Sequence, residues 1–289
     1  MRARPYRLLA LLTLAALAAG TLGCVARRGP VITVHGSDTM VLLGQQWAER
    51  YMSGHAGIIV QVNGGGSGTG IAALINGSTD ICQASRPMKP KEREQMQAKY
   101  GSEPEEIVVA RDGVTVYLHV SNPLPSLTVD QLRRIYRGEI TNWKEVGGSD
   151  GRIVVYGREN SSGTYAFFKE HVLGESDFAP GVQTLSGTGA VVNAVAQDPA
   201  GIGYGGAAYA AGIRICPLSA EPGSEAVHPD LESVLSGAYP LARDLYFYLR
   251  GQPEGATADF VNWVLGEEGQ AIVSSVGYFP LSGGVPTET

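Results

Sequence analysis

Short apolar runs alternate with longer amphipathic segments along most of this 289-residue chain. Residues 31–34 and 58–62 are runs of strand length. Between them, Met40, Leu43 and Trp47 lie three or four residues apart, which is the spacing of one face of a helix. A strand, a helix and a second strand in this order predict a βαβ unit and a mostly parallel sheet.

The same alternation continues to the end of the chain. The predicted strands are 31–34, 58–62, 80–83, 107–120, 152–156, 201–204, 213–216 and 244–249. The predicted helices are 39–51, 71–75, 128–136, 162–172, 189–197 and 258–264. The long strand 107–120 can carry the chain out of the first sheet, and 213–216 is predicted to be a second crossing. We therefore expect an α/β protein with no long linker, with lobe 1 in residues 31–114 and 208–289 and lobe 2 in residues 115–207.

The first 24 residues are typical of an export signal. Arg2, Arg4 and Arg7 precede an apolar run rich in Leu and Ala, and small residues lead up to Cys24. The segment Thr21-Leu22-Gly23-Cys24 resembles a bacterial lipobox, with its leucine displaced by one position. Ordinary signal cleavage nearby is the alternative. We expect a signal peptide in residues 1–24, a tether in 25–30, and an exported protein of the periplasm or cell surface that is anchored through a lipid on Cys24.

Charge and cysteine usage narrow the classes of partner. The chain has 22 Lys and Arg against 28 Asp and Glu. Removal of Arg2, Arg4 and Arg7 leaves 19 basic residues and a net charge of −9. This balance disfavours a nucleic-acid-binding face, and a bound anion must be held by local groups. Cys82 and Cys216 could pair in an exported protein, but both lie in apolar runs where free cysteines are common.

Three loops rich in Gly, Ser and Thr lie where a predicted strand leads into a predicted helix. They are residues 36–39, 63–70 and 158–164. Ligands of α/β sheets bind at such junctions, because helix N-termini carry free N–H groups and a partial positive charge that attract anions. Ser and Thr are also ordinary helix caps, but three such loops together favour an anion site. A fourth loop, 186–189, repeats Ser-Gly-Thr without a neighbouring charge, and plain capping is favoured there.

Several common kinds of site are not matched by the motifs. The run 63–70 lacks the lysine of a P-loop and the glycine spacing of a dinucleotide-binding loop. Residues 65–70 also lack the last glycine of a serine-hydrolase elbow. The five histidines are scattered, and none has metal-ligand spacing. We therefore expect neither a metal nor another cofactor.

The order of the motifs resembles that of a known family, the phosphate-binding proteins of bacterial ABC phosphate importers. The segments that carry the resemblance are 36–40, the glycine run with Ser67, 80–86, 141–143, 158–164, 201–204, 239–243 and 266–270. The resemblance implies a two-lobed type II periplasmic-binding-protein (Venus flytrap) fold with a two-strand hinge. It also implies a monomeric binding protein without enzymatic activity, whose lobes close on inorganic phosphate and whose loaded form docks on ABC permease subunits.

The resemblance further implies which residues hold phosphate. They are Ser37, Asp38, Thr39, Ser67, Arg86, Arg158, Ser162, Gly163 and Thr164. The chain departs from the family pattern at two of them, since well-known members have a threonine in place of Asp38 and an aspartate in place of Arg86. Each arginine can offer a fork of donors to phosphate oxygens, although Arg86 could instead be a solvated residue near the hinge. Asp38 could accept the proton that phosphate keeps near pH 7, orient Arg86, or cap a helix.

Two further functions remain open at this stage. The same fold could bind sulfate, molybdate, tungstate or a small organophosphate, because Asp38 and Arg86 depart from the family pattern. A carboxylate would repel sulfate or tungstate, which carry no proton near pH 7. A secreted serine hydrolase built on Ser67 or Ser162 would need a base oriented by a third group, and no histidine motif is linked to either serine.

Overall fold

The computed structural model describes residues 29–281, and the predicted α/β class is confirmed. The strands are β1 Val31–Gly36, β2 Ile59–Asn63, β3 Ile81–Ala84, β4 Glu105–Leu118, β5 Leu127–Thr128, β6 Val154–Arg158, β7 Gln183–Leu185, β8 Gly201–Gly206, β9 Arg214–Cys216, β10 Leu218–Ser219 and β11 Ala242–Leu249. The helices are α1 Val41–Gly54, α2 Ser67–Asn76, α3 Pro90–Tyr100, α4 Val129–Tyr136, α5 Gly163–His171, α6 Thr188–Gln197, α7 Leu231–Ser236, α8 Gly255–Leu265 and α9 Glu267–Val276. A short 3₁₀ turn, Asp38–Met40, leads into α1. The predicted signal peptide and Cys24 lie outside the described residues.

Lobe 1 is built on a mixed sheet with the strand order β2-β1-β3-β11-β4. β1 runs parallel to β2 and β3, while β11 is antiparallel to β3 and β4. Leu43, Trp47 and Tyr51 of α1 are buried in the core of this lobe, where they meet Val34 and Phe247 from the sheet. The apolar spacing along the sequence therefore predicts the buried face of α1 correctly.

Lobe 2 is built on the strand order β4-β8-β6-β7, with β9 also paired to β4. β8, β6 and β7 are parallel, and β4 is antiparallel to β8. The rings of Phe168 and Tyr204 stack with centroids 4.0 Å apart, and Tyr136 contacts both edge-on. Such aromatic pairs add about 0.5–1.5 kcal/mol beyond the area they bury, so they hold α4 and α5 firmly on the sheet.

β4 passes through both lobes. Its residues 105–113 pair with β11 in lobe 1, and its residues 114–118 pair with β8 in lobe 2. Asp112 of β4 and Arg243 of β11 are opposite each other in the register. These two residues therefore lie where the chain changes lobes.

The predicted return crossing at 213–216 is wrong. β9 pairs with the lobe 2 end of β4, and Leu218, Val234 and Leu241 are buried in the core of lobe 2. The chain returns to lobe 1 only at β11, so lobe 2 extends to about residue 241 rather than 207. A short apolar strand has the same sequence pattern on either side of a hinge, and only its pairing partner distinguishes the two.

The apolar pattern does not predict α3, α7 or α9. α3 is mostly polar, and Met96 is its buried residue, so it lacks an apolar stripe. α7 has six residues, which is too short for a periodic signal. α9 follows α8 after the single residue Gly266, so the two helices merge into one ambiguous segment.

Cys82 and Cys216 are free thiols in separate places. Cys82 lies in β3 of lobe 1, and Cys216 lies in β9 within the core of lobe 2. Burial raises the pKa of both thiols, which keeps them in the unreactive protonated form at neutral pH. The pairing that the sequence left open is therefore not formed in this structure.

Candidate anion-binding site

The three loops rich in Gly, Ser and Thr meet in the cleft between the lobes. Oγ1 of Thr39, from lobe 1, lies 2.9 Å from Oγ1 of Thr164, from lobe 2. A Cβ added to Gly163 would stand 2.3 Å from Oγ of Ser67. The 3₁₀ turn before α1 and the N-termini of α2 and α5 therefore point at one place.

The hydroxyl groups at this place are buried and are set to donate. Ser67 is 0% exposed and Ser162 is 2% exposed. Oγ of Ser67 accepts the N–H of Ser85 at 3.0 Å, and Oγ of Ser162 accepts the N–H of Tyr165 at 3.2 Å. Because each oxygen already accepts a protein donor, the proton of each hydroxyl is available for another acceptor. The cluster is thus a set of donors directed into the cleft.

Arg158 joins the two lobes through its guanidinium, whose side chain is 1% exposed. Nη2 donates to Oδ2 of Asp38 at 2.8 Å, and Nη1 donates to Oγ1 of Thr188 at 2.8 Å. Both carboxylate oxygens of Glu159 accept from the same guanidinium. Burial opposes ionisation of Glu159, but the hydrogen bonds and charge of Arg158 outweigh it and hold the pKa of Glu159 below its usual value. Arg158 is therefore a cation held between two carboxylates.

Asp38 links the first loop to the glycine run. Its Oδ1 accepts the N–H of Gly65 at 2.7 Å, while Oδ2 accepts from Arg158. No side-chain hydrogen bond caps the turn in which it lies. The two alternatives in which Asp38 caps a helix or orients Arg86 are therefore wrong, since the carboxylate orients Arg158.

Glycines in the run 63–70 allow the backbone of lobe 2 to approach. Gly66 has a φ of 96°, and a Cβ on it would stand 2.5 Å from the carbonyl oxygen of Ser161. The N–H of Gly68 donates to that same oxygen at 2.9 Å. A side chain at Gly66 would both strain the backbone and separate the lobes.

Arg86 is not brought to this cluster, contrary to the sequence prediction. Its guanidinium forms a bidentate pair with Glu92 at 2.7 and 2.8 Å and also donates to the carbonyl oxygen of Pro87. It lines a cavity of about 570 Å³ in the outer cleft, together with Asn160 and Lys169. The sequence did not indicate this arrangement, because Glu92 lies on α3, a helix that the apolar pattern did not reveal.

Ser37 reaches the cluster only through Ser85. The hydroxyl of Ser37 donates to Oγ of Ser85 at 2.8 Å. Oγ of Ser85 lies 3.4 Å from Oγ of Ser67, and Ser85 is 0% exposed. Ser85 was not predicted from the sequence, because it is uncharged and its neighbour Arg86 is the more obvious partner for an anion.

The Ser-Gly-Thr loop at 186–188 belongs to the site as well, and the prediction of plain capping is wrong. Gly187 is the residue before α6, and no side chain caps this helix. Thr188 is 1% exposed and supplies the oxygen that accepts from Arg158. The repeated triplet was the signal that could have identified it.

Sequence reasoning also missed a second arginine, at the hinge side of the cleft. Nε and Nη2 of Arg243 donate to Oδ2 of Asp112 at 3.1 and 2.7 Å, and Nη1 donates to the carbonyl oxygen of Ser85 at 3.0 Å. Nη2 also lies 3.4 Å from Oγ1 of Thr39 and 3.1 Å from Oγ1 of Thr164. Burial raises the pKa of Asp112, and the attraction of Arg243 offsets only part of this effect. The available signal was its partner Asp112, a charged residue within the long apolar strand 107–120.

Residues 29–281 show neither a metal-ligand cluster nor a membrane-spanning helix. No group of three or more His, Cys, Asp and Glu side chains there is arranged to hold a metal ion. None of the described helices combines the length and the apolar character that a membrane span requires.

Comparisons with known proteins cover both lobes. A family model described as the PBP superfamily domain matches residues 18–268. The phosphate-binding protein PstS of Pseudomonas aeruginosa is 32% identical, over 95% of this chain and 94% of that protein. PstS of Bacillus subtilis is 30% identical, over 87% of this chain and 81% of that protein. A Clostridium perfringens structure with bound phosphate, assigned as a phosphate ABC transporter substrate-binding protein, gives a TM-score of 0.78 at 29% identity, over 87% of this chain and 100% of that chain.

Proposed function

Because this chain belongs to the PBP superfamily and is a relative of the PstS phosphate-binding proteins, we propose that it binds inorganic phosphate between its lobes and delivers it to the permease of an ABC importer. The observation that carries this proposal is the cluster of buried hydroxyls whose oxygens already accept protein donors. An anion with several acceptor oxygens is the ligand that such donors and helix N-termini fit.

The ligand set proposed here differs from the one expected from the sequence. The residues proposed to contact phosphate are Asp38, Thr39, Ser67, Arg158, Ser162, Gly163 and Thr164. Ser37 is assigned a supporting role, since its hydroxyl is directed at Ser85. Arg86 is left out, because its hydrogen bonds go to Glu92 and Pro87 and none of them reaches the hydroxyl cluster.

Net charge does not explain attraction of an anion to this place. The charged groups around it are Arg158, Arg243, Asp38, Glu159 and Asp112, paired as ion pairs. Their formal charges leave an excess of one negative charge. Affinity must therefore come from oriented hydroxyl, N–H and helix dipoles at short range, which is consistent with the acidic composition of the whole chain.

Selectivity for phosphate is the test of the proposed function. We expect calorimetry to give a dissociation constant for phosphate that is micromolar or tighter, about −8 kcal/mol or more. Sulfate, molybdate and tungstate should bind much more weakly, because they carry no proton to offer to the Asp38 carboxylate. A thermal-shift panel of these oxyanions provides a second readout, since a ligand of the folded protein raises its melting temperature.

The matched variant for this panel is Asp38→Asn. Asparagine retains an oxygen for the N–H of Gly65 but removes the negative charge. The ratio of phosphate to sulfate affinity should therefore fall in the variant. A panel in which another oxyanion binds wild-type protein best would overturn the assignment to phosphate, and an unchanged ratio would remove Asp38 from the ligand set.

The serine-hydrolase alternative lacks a base in the described part of the chain. Oγ of Ser67 interacts with Ser85, and Oγ of Ser162 accepts the N–H of Tyr165. No histidine within residues 29–281 hydrogen-bonds either hydroxyl. A nucleophilic serine needs such a partner, so the described contacts of Ser67 and Ser162 do not favour the serine-hydrolase alternative.

We propose that the exported protein is anchored to the membrane through a lipid on Cys24. The basic start, the apolar run and the lipobox-like segment before Cys24 support it. We expect wild-type protein to incorporate a labelled fatty acid and to sediment with membranes, and Cys24→Ser protein to do neither. Equal labelling of both proteins would exclude Cys24 as the lipidated residue.

A further inference from the structure

Arg243 contacts hydroxyl groups from both lobes at once. Its Nη2 lies 3.4 Å from Oγ1 of Thr39 in lobe 1 and 3.1 Å from Oγ1 of Thr164 in lobe 2. Those two oxygens are 2.9 Å apart. The guanidinium is nearly inaccessible and stands over the ring of Phe167, 5.4 Å from its centroid. It therefore joins the lobes on the hinge side of the cleft.

The chemistry of the guanidinium determines how these hydroxyls are oriented. A guanidinium has only donors, so Thr39 and Thr164 must accept from it. Their own protons are then directed away from Arg243. One of the two protons can bridge the two oxygens, and both become available when an anion takes the place of that contact.

Asp112 keeps the guanidinium in this position. It is 0% exposed and accepts from Nε and Nη2 of Arg243 and from the N–H of Ala207 in lobe 2. Asp112 and Arg243 are opposite each other on β4 and β11. Because Asp112 cancels the charge of Arg243, the pair adds no net charge to the site. Its influence on an anion must pass through the orientation of the hydroxyls.

We propose that Arg243 is a positioning residue that couples phosphate binding to closure of the lobes. It holds Thr39 and Thr164 together across the cleft with their protons available to the ligand. This inference rests on the proposed phosphate-binding function and adds to it the residue that sets the direction of the donors.

The test compares the full chain with a charge-balanced variant, Arg243→Met combined with Asp112→Asn. The double substitution removes the guanidinium without leaving a buried carboxylate unpaired. Calorimetry with inorganic phosphate measures affinity, and thermal denaturation without phosphate measures the stability of the free protein. We expect a melting temperature close to that of wild type and a phosphate affinity lowered by about 30-fold or more.

Thr164→Val provides a readout that a purely structural role of Arg243 would not change. It should weaken phosphate binding by about tenfold in the wild-type background. In the charge-balanced background it should weaken binding by less than about threefold, because the hydroxyl is no longer oriented and the two effects are coupled. Additive losses would overturn the proposed role.

The matched control is Arg111→Met combined with Asp244→Asn. This pair lies on the same two strands, next in the register, with Nε and Oδ1 3.3 Å apart and both side chains 38% exposed. It should leave phosphate affinity unchanged.

Arg243→Lys is the variant to test if the charge-balanced variant does not fold. Lysine keeps a charge beside Asp112 but cannot reproduce the fork, so binding should weaken by about tenfold or more.

The outcomes separate this inference from the function on which it rests. Wild-type protein that binds phosphate, with unchanged affinity in the charge-balanced or Arg243→Lys variant, would overturn the role of Arg243 alone. Wild-type protein that does not bind phosphate would overturn the proposed function and this inference with it.

Discussion

Replacing Arg158 by alanine is expected to weaken phosphate binding by about 100-fold or more. The guanidinium is 1% exposed and holds Asp38 of lobe 1 together with Glu159 and Thr188 of lobe 2. Loss of one partner from a buried, hydrogen-bonded charge pair costs about 2–5 kcal/mol, largely because the other charge is left unpaired. Here two unpaired carboxylates would also repel the incoming anion. Calorimetric titration with phosphate measures the loss.

Arg86→Ala is the matched control for that experiment. Arg86 is also a buried arginine in an ion pair, with Glu92, but none of its hydrogen bonds reaches the hydroxyl cluster. Its removal should change phosphate affinity by less than about twofold, although it lowers stability. Wild-type affinity in Arg158→Ala, or a comparable loss in Arg86→Ala, would show that the two arginines have been assigned the wrong roles.

Gly163→Ala is expected to disfavour closure on phosphate while leaving the fold intact. An added Cβ would stand 2.3 Å from Oγ of Ser67 and 2.6 Å from Oγ of Ser85, both of which are buried. Overpacking of this kind costs about 1–3 kcal/mol. The cost falls on the closed state alone, so phosphate affinity should drop by about 10- to 100-fold. The rise in melting temperature on addition of phosphate should shrink accordingly.

Gly189→Ala controls for the effect of alanine in the first turn of a helix. Gly189 is the second residue of α6, in the loop 186–189, and a Cβ there would meet no atom within 4 Å. Neither Gly163 nor Gly189 has a positive φ, so alanine fits both backbones. The control should bind phosphate normally. A Gly163→Ala protein that binds as tightly as the control would mean that the lobes do not approach this closely around the ligand.

Much of the fold could be predicted because it depends on local patterns. Leu43, Trp47 and Tyr51 lie on one face of α1, and this face is buried as their spacing indicates. Each helix that points at the cluster begins beside a loop of Gly, Ser and Thr, because N-terminal N–H groups need such partners or a ligand. The return crossing was misplaced because a strand of three residues carries no signal of which lobe it joins.

The site was predicted less completely because charge alone does not reveal a partner. Arg86 and Arg158 lie at or just after the end of a strand, and both offer the same fork of donors. The two arginines differ in the position of the carboxylate that each one pairs with. Glu92 lies six residues from Arg86 and takes it out of the cleft, whereas Asp38 reaches Arg158 across the lobes. The first partner is on a helix without an apolar stripe, and the second is 120 residues away.

The sequence by itself determined the α/β class, the exported character expected of the chain, and the loops that supply hydroxyls and helix N-termini. These depend on composition and on spacing over a few residues. Only the tertiary structure decided that Arg243, paired with Asp112, contacts both Thr39 and Thr164, and that Thr188 completes the contacts of Arg158. Those pairs are 30 to 204 residues apart. Side chains so distant in sequence meet only after the two sheets have formed and the strands of the hinge have set their register.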